Sequence, residues 1–383
     1  MKVVAAIDSF KGSLSTFQAG EALAVGVKRV YPDAQVLISP LADGGEGTVE
    51  AIVGAAGGTM VEVTVHNPLG RLIQSQYGMV EATKTAIIEM ASASGITLIE
   101  ASERNPLVTT TFGVGELILD AIEKGCRQFV IGIGGSATND CGVGMLQALG
   151  FSFLDEKGNP VGYGANGVKQ IAAIQTVGVH PALKDCEFRI ACDVKNPLCG
   201  ELGCSAVYGP QKGATPLMVE EMDGWLHRFA ELTKTVNPDA DPDYPGSGAA
   251  GGLGFAFMSY LGGTLTSGIE LVIKETGLEE LVKDADVVVT GEGRLDGQSH
   301  MGKAPIGVAK LAKQYGKTVL AFSGCVTRDA VKCNDHGIDA FFPILRTPCT
   351  LEEAMDAENA FSNMSDTVEQ VFRLLKIAKG LSH

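Results

Sequence analysis

Lys2-Val-Val-Ala-Ala-Ile7 is an apolar run with β-branched residues, the pattern of a strand covered on both faces. A polar loop follows, Asp8-Ser-Phe-Lys-Gly-Ser-Leu14, and Ser15 with Gln18 three residues on forms a capping box that starts a helix. Residues 36–39 read as a second short strand. Pro40-Leu-Ala-Asp-Gly-Gly-Glu-Gly47 is a loop feeding a helix through Ala56, which Gly57 and Gly58 end. The far end of the chain repeats the pattern. Asp286-Val-Val-Val-Thr290 predicts a strand, Gly291 to Lys303 a polar, glycine-rich loop, and Pro305 suits the first turn of the next helix, where an N–H would have no partner. Further strands are expected at 318–322 and 340–344, and a closing helix at about 351–376.

Strands alternating with helices imply right-handed crossovers and a parallel sheet with helices on both faces. Each terminal half supplies only two or three strands, too few for such a sheet alone. The expected fold class is therefore α/β, with residues 1–66 and 277–383 forming one discontinuous domain and 67–276 inserted as a mixed α/β domain. The mixed part has strands near 59–65, 72–80 and 85–90, a helix at 113–124 and a strand–glycine–helix unit at 128–149. Asn237-Pro-Asp-Ala-Asp-Pro-Asp-Tyr-Pro-Gly246 reads as an exposed loop.

Composition narrows the function. The 383 residues are 45% hydrophobic and 20% charged, which marks a globular chain. Thirty basic residues against 45 acidic ones give −15, without any Lys/Arg run, so nucleic acid is not an expected partner. An anionic ligand has to be held by a few local cations and backbone N–H groups. Nine cysteines show neither CxxC nor zinc spacing, so reduced, mostly buried thiols are expected. The N-terminus has one Lys and an apolar run too short for a signal peptide. Residues 246–269 carry no charge, but their eight glycines and missing aromatic belt suit a buried turn and helix better than a membrane span. A soluble, cytoplasmic protein without a membrane partner is expected.

Five loops carry candidate chemistry. Gly291-Glu-Gly-Arg-Leu-Asp-Gly-Gln-Ser-His-Met-Gly-Lys303 follows a strand and enters a helix, the edge where open α/β sheets bind ligands. It presents Arg294 and Lys303 as cations and Glu292 and Asp296 as carboxylates. Gly297, Gly302 and Lys303 imitate a P-loop, but Ala304 stands where Ser or Thr must reach magnesium. Gly132-Ile-Gly-Gly-Ser-Ala-Thr-Asn-Asp140 lets a backbone approach a phosphate, with the hydroxyls of Ser136 and Thr138 beside Gly134 and Gly135. Gly132, Gly134 and Ala137 also fit a dinucleotide fingerprint, with Asp155 near the ribose position, although residues 138–144 are poor helix formers. Asp43 and Glu46 at a helix start are either caps or magnesium ligands. Lys11 at the same sheet edge is a solvated side chain or an anion contact, and Asp193, where a strand ends, is a turn former or a base for a hydroxyl. The six histidines show no triad or metal spacing.

Together these stretches resemble the type-1 glycerate kinases of bacteria. The matching segments, in the family's order, are DSFKGSLS (8–15), PLADGGEGTVEA (40–51), IEMASASGI (88–96), IGIGGSATND (131–140), ACDVKNPL (191–198), YGPQKGA (208–214), SGAAGGLG (247–254) and TGEGRLDGQSHMGKAPIGVA (290–309). One departure is Cys141, where the family's pattern has glycine. The resemblance implies a flavodoxin-like domain built from both termini, an insert distantly like restriction endonucleases, and ATP-dependent phosphorylation of D-glycerate with magnesium. On it rest the expected roles. Lys11, Arg294 and Lys303 would meet phosphate or the glycerate carboxylate. Asp43 and Glu46 would hold magnesium, and Asp193 or Asp296 would orient and deprotonate the acceptor. Gly134, Gly135, Ser136, Thr138, Glu292 and Gly302 would line the nucleotide. In-line transfer in a cleft between the two domains is expected, with 2-phospho-D-glycerate favoured over the 3-phospho product. The alternatives are an NAD(P)-dependent oxidoreductase using Gly132–Ala137 and a non-catalytic nucleotide sensor. Oligomeric state, a homo-oligomer included, is left open.

Overall fold

The computed structural model describes residues 1–45, 47–297, 299 and 303–381. Two compact units result, one of residues 1–43, 54–56 and 269–383, the other of residues 44–53 and 57–268. The first holds a five-stranded, all-parallel sheet in the order Ala340–Pro343, Thr318–Val326, Val287–Leu295, Lys2–Ile7, Gln35–Ile38. Lys2–Ile7 has neighbours on both sides, which is why Val3 to Ile7 are apolar and at most 1% exposed. The helix Thr16–Val30 starts on the expected capping box, with Gln18 N–H donating to Ser15 Oγ (3.2 Å) and Ser15 N–H to Gln18 Oε1 (2.9 Å). Leu23 and Val27 of this helix join Met364 and Phe372 of the helix Ala357–Leu381 in the core over Val3, Ile7 and Phe322. Gly26 permits that packing, since a Cβ there would lie 2.4 Å from the Ser365 carbonyl oxygen.

Two expected boundaries are corrected. The strand after Asp286 does not stop at Thr290 but runs to Leu295, in register with Thr318–Val326 through Leu295↔Val326. Its glycines look like loop, yet Gly291 is what allows the pairing, because a Cβ there would meet the Phe322 carbonyl oxygen at 2.0 Å. The closing helix is two helices, Leu351–Met355 and Ala357–Leu381. Asp356 between them is extended (ψ 128°), and its carboxylate accepts the Asn359 N–H at 2.9 Å, ending one helix and capping the next.

The second unit holds a six-stranded mixed sheet, ordered Thr264–Thr266, Glu187–Ala191, Gln128–Gly132, Thr85–Glu89, Leu72–Val80, Thr59–His66. Its first three pairings are parallel and its last two antiparallel. Phe129 and Phe188 stack at 4.8 Å within its core. The uncharged stretch forms the helix Ala249–Leu261, which opens with Ala250, Gly251 and Gly252 in left-handed conformation. No helix among the described residues is long and apolar enough to cross a membrane. All nine cysteines are free thiols, four of them buried and three half-buried, with Cys325 and Cys349 exposed.

Candidate active site

In the first unit a cavity of about 460 Å³ opens at the carboxyl ends of the parallel strands. Each strand end delivers a side chain to it. Asp8 and Lys11 follow Lys2–Ile7, Asp43 follows Gln35–Ile38, and Glu292 and Arg294 belong to the last residues of Val287–Leu295, with Asp296 just beyond. Lys303, the residue before the helix Ala304–Gln314, completes the charged side. Phe10, Ile344, Leu345, Leu351 and Met355 form an apolar wall of the same cavity.

The charged side is a short network. Glu292 accepts the Ser299 hydroxyl at 2.6 Å and faces Lys303 Nζ at 3.7 Å, while Arg294 Nε lies 3.3 Å from Asp296. Ser299 Oγ also accepts the Asp296 N–H at 3.1 Å, so one buried hydroxyl ties the two carboxylate-bearing positions together. Asp8 is 6% exposed, and its carboxyl is pushed up to about 7, first by burial and then by the charge of Asp43. The Ser9 N–H (2.7 Å to Asp8 Oδ1) and Lys11 oppose that shift. Burial likewise raises Glu292 against the opposing Ser299 hydroxyl and Lys303. Asp8, Asp43 and Glu292 repel one another in this half-buried setting, and carboxylate oxygens are the ligand type that a hard divalent cation takes. No cluster of three metal-binding side chains forms among the described residues. Magnesium commonly takes one or two carboxylates and completes its shell with water and phosphate oxygens.

The glycine loop lies in the second unit. Gly134 and Gly135 are exposed, whereas Ser136, Thr138, Asn139 and Asp140 are buried. Asp140 accepts from Thr111 N–H (2.8 Å), Thr111 Oγ1 (2.9 Å) and the N–H groups of Gly142 (3.2 Å) and Gly144 (3.3 Å), which makes it the internal brace of the loop. The dinucleotide reading fails on this geometry. The helix after the loop begins only at Val143, and Asp155 spends its carboxylate on the N–H groups of Lys157 and Asn159 in its own turn. Cys141 sits at φ 51°, a left-handed position where glycine would be free of strain. Asp193, also in this unit, is exposed and accepts Ser267 Oγ (2.9 Å) and Gly268 N–H (3.1 Å).

A sequence profile described as the glycerate kinase family matches residues 3–376. The chain belongs to that family. It is 48% identical to the glycerate kinase of Haemophilus influenzae (98% of this chain, 99% of the relative) and 47% identical to the glycerate 2-kinase of Escherichia coli (98% of each). A crystal structure from Salmonella typhimurium LT2, provisionally named glycerate kinase 2, superposes with a TM-score of 0.92 at 46% identity over 99% of both chains.

For a glycerate kinase family member, a nucleotide and a small hydroxy acid both need places. Of the residues expected from sequence, Lys11, Asp43, Glu292, Arg294, Asp296 and Lys303 line one cavity. Gly134, Gly135, Ser136, Thr138 and Asp193 belong to the other unit, and Glu46 and Gly302 lie outside the described residues. Sequence reasoning left two features out of the site. Asp8 was visible at a strand end, but its burial was not. The apolar wall had a signal in Leu351 and Met355, one helical turn apart, which reads equally as core.

Proposed function

We propose that the protein transfers the γ-phosphoryl group of ATP to D-glycerate and releases 2-phospho-D-glycerate. The observation that carries this reading is the mixed lining of one cavity, which holds cations and carboxylates together with an apolar wall. Glycerate has no apolar part to occupy such a wall, whereas a nucleotide has both a base and a polyphosphate. Lys11, Arg294 and Lys303 would neutralise the phosphates, and the positive end of the helix Ala304–Gln314 favours the same charge. Asp43, with Asp8 and Glu292, would hold magnesium, whose contribution when bound is to offset charge on the transferring group. Asp296 or Asp193 would orient the acceptor hydroxyl, and the Gly134–Thr138 turn would take an anionic group of a ligand. Position 2 is favoured because a relative of 47% identity bears the name glycerate 2-kinase. The strand order of the first unit is read as flavodoxin-like.

The apolar wall gives a selective test. Leu351 and Met355 are exposed at the cavity, so polar substitution there does not disturb the core. Met355→Glu is expected to raise KM for ATP about tenfold, roughly the worth of one buried apolar contact, and to leave KM for glycerate within twofold. Equal KM values for ATP in variant and wild type would show that the base binds elsewhere.

A further inference from the structure

Lys212 follows the glycine at 209 and is 2% exposed, unusual for a residue whose charge is so strongly hydrated. Its ammonium donates to Ser136 Oγ at 2.8 Å and to the Thr138 carbonyl oxygen at 2.6 Å, a hydroxyl and a carbonyl rather than a carboxylate. Hydrogen bonds from a buried ammonium to neutral groups leave much of its desolvation cost uncompensated. Burial pulls its pKa down to about 8, opposed by Cys204 and Asp140, so the group remains mostly cationic at neutral pH.

The same turn is held from a second direction. Ala250, Gly251 and Gly252 are left-handed in succession (φ 52°, 69° and 91°), and the Gly251 carbonyl accepts the Cys141 N–H at 2.9 Å. A Cβ on Gly251 would meet the Thr138 carbonyl oxygen at 2.1 Å. Two non-glycine residues in the left-handed region, Cys141 and Ala250, thus abut one short loop. Thr138 Oγ1 and Asn139 Oδ1 are buried there without a hydrogen-bond partner among the described residues. Buried charge, backbone strain and unspent polar atoms converge beneath Gly134 and Gly135, which are the exposed part of the loop.

We propose that Lys212 is the positioning residue of the Gly134–Thr138 turn and supplies the positive charge that lets this turn bind an oxyanion, either a carboxylate or a phosphoryl group. This rests on the reading above that the turn contacts a ligand. The ligand meets the exposed glycine backbone, and Lys212 acts from behind it, through Ser136 Oγ and the Thr138 carbonyl.

The test compares Lys212→Met, Lys212→Arg and Ser136→Ala with wild type, using calorimetric Kd values for D-glycerate and for MgATP separately and a thermal melt for each variant. Lys212→Met is expected to weaken one of the two ligands about tenfold or more and to leave the other within about twofold. A selective loss of glycerate identifies a carboxylate, and a selective loss of MgATP a phosphoryl group. Lys212→Arg, which keeps the charge, is expected to recover part of the lost affinity. Should Lys212→Met fail to fold, Ser136→Ala removes one of the two anchors with little change in volume, and a severalfold loss for one ligand alone supports the assignment. Wild-type affinities in folded Lys212→Met, or in Ser136→Ala where Lys212→Met does not fold, overturn it. So does an equal loss for both ligands, the mark of a purely structural residue. Wild type that binds neither ligand would instead sink the proposed function itself.

Discussion

Asp8 shows how a single side chain trades stability for use. Its carboxyl is pushed up to about 7 by burial and by Asp43, so between pH of about 4, the ordinary carboxylate value, and about 7 the folded protein holds a proton that the unfolded chain has released. The unfolded state therefore binds fewer protons across that window, and the contribution of Asp8 to stability falls as pH rises through it, then levels off above 7. Asp8→Asn is expected to abolish this slope and to raise the melting temperature at pH 8 by several degrees, relieving a few kcal/mol of charge burial. Activity should fall in the same variant by about 100-fold or more, because the repulsive carboxylates are what a cation would offset. A melt series from pH 4 to 8 on both proteins checks the sign. Lys303 is the opposite case. It is 39% exposed and 3.7 Å from Glu292, so the pair is worth little to the fold. Lys303→Ala is expected to leave the melting temperature within about a degree or two and to lower kcat/KM about 100-fold. Near-wild-type kcat/KM would remove Lys303 from the phosphate side.

Elements were legible where their signals are local. Ser15 with Gln18 and the glycines after Ala56 marked helix ends that the structure places at Thr16 and Ala56. The strand extension to Leu295 was hidden because Gly-Glu-Gly-Arg has loop composition, and only the partner strand Thr318–Val326 supplies its hydrogen bonds. The break at Asp356 was hidden because Asp is tolerated within a helix as well as at its cap. The extension leads to a prediction at this scale. Gly291→Ala places a Cβ against the Phe322 carbonyl oxygen, a contact of 2.0 Å that backbone must move to relieve. A destabilisation of about 1–3 kcal/mol is expected, together with lost activity as Glu292 shifts. An unchanged denaturant midpoint would show that the strand ends earlier.

Across the whole molecule, a net charge of −15 gives anionic substrates no general attraction. Local cations must do that work, and the cavity gathers Lys11, Arg294 and Lys303 from sequence positions nearly 300 residues apart. This gathering was legible because parallel strands bring their carboxyl ends to one edge, so loops from both termini meet there. Burial was not legible: Asp8 and Lys212 read as ordinary polar residues until their neighbours were placed. The claim that unites these features is phosphoryl transfer from ATP to carbon 2 of D-glycerate. Proton-coupled 31P NMR of the purified protein with MgATP and D-glycerate, with L-glycerate and no-acceptor controls, tests it most directly. A new phosphomonoester signal split into a doublet, by the single proton on carbon 2, is the predicted result. A triplet would place the phosphate on carbon 3, and no new phosphomonoester with D-glycerate would contradict the account altogether.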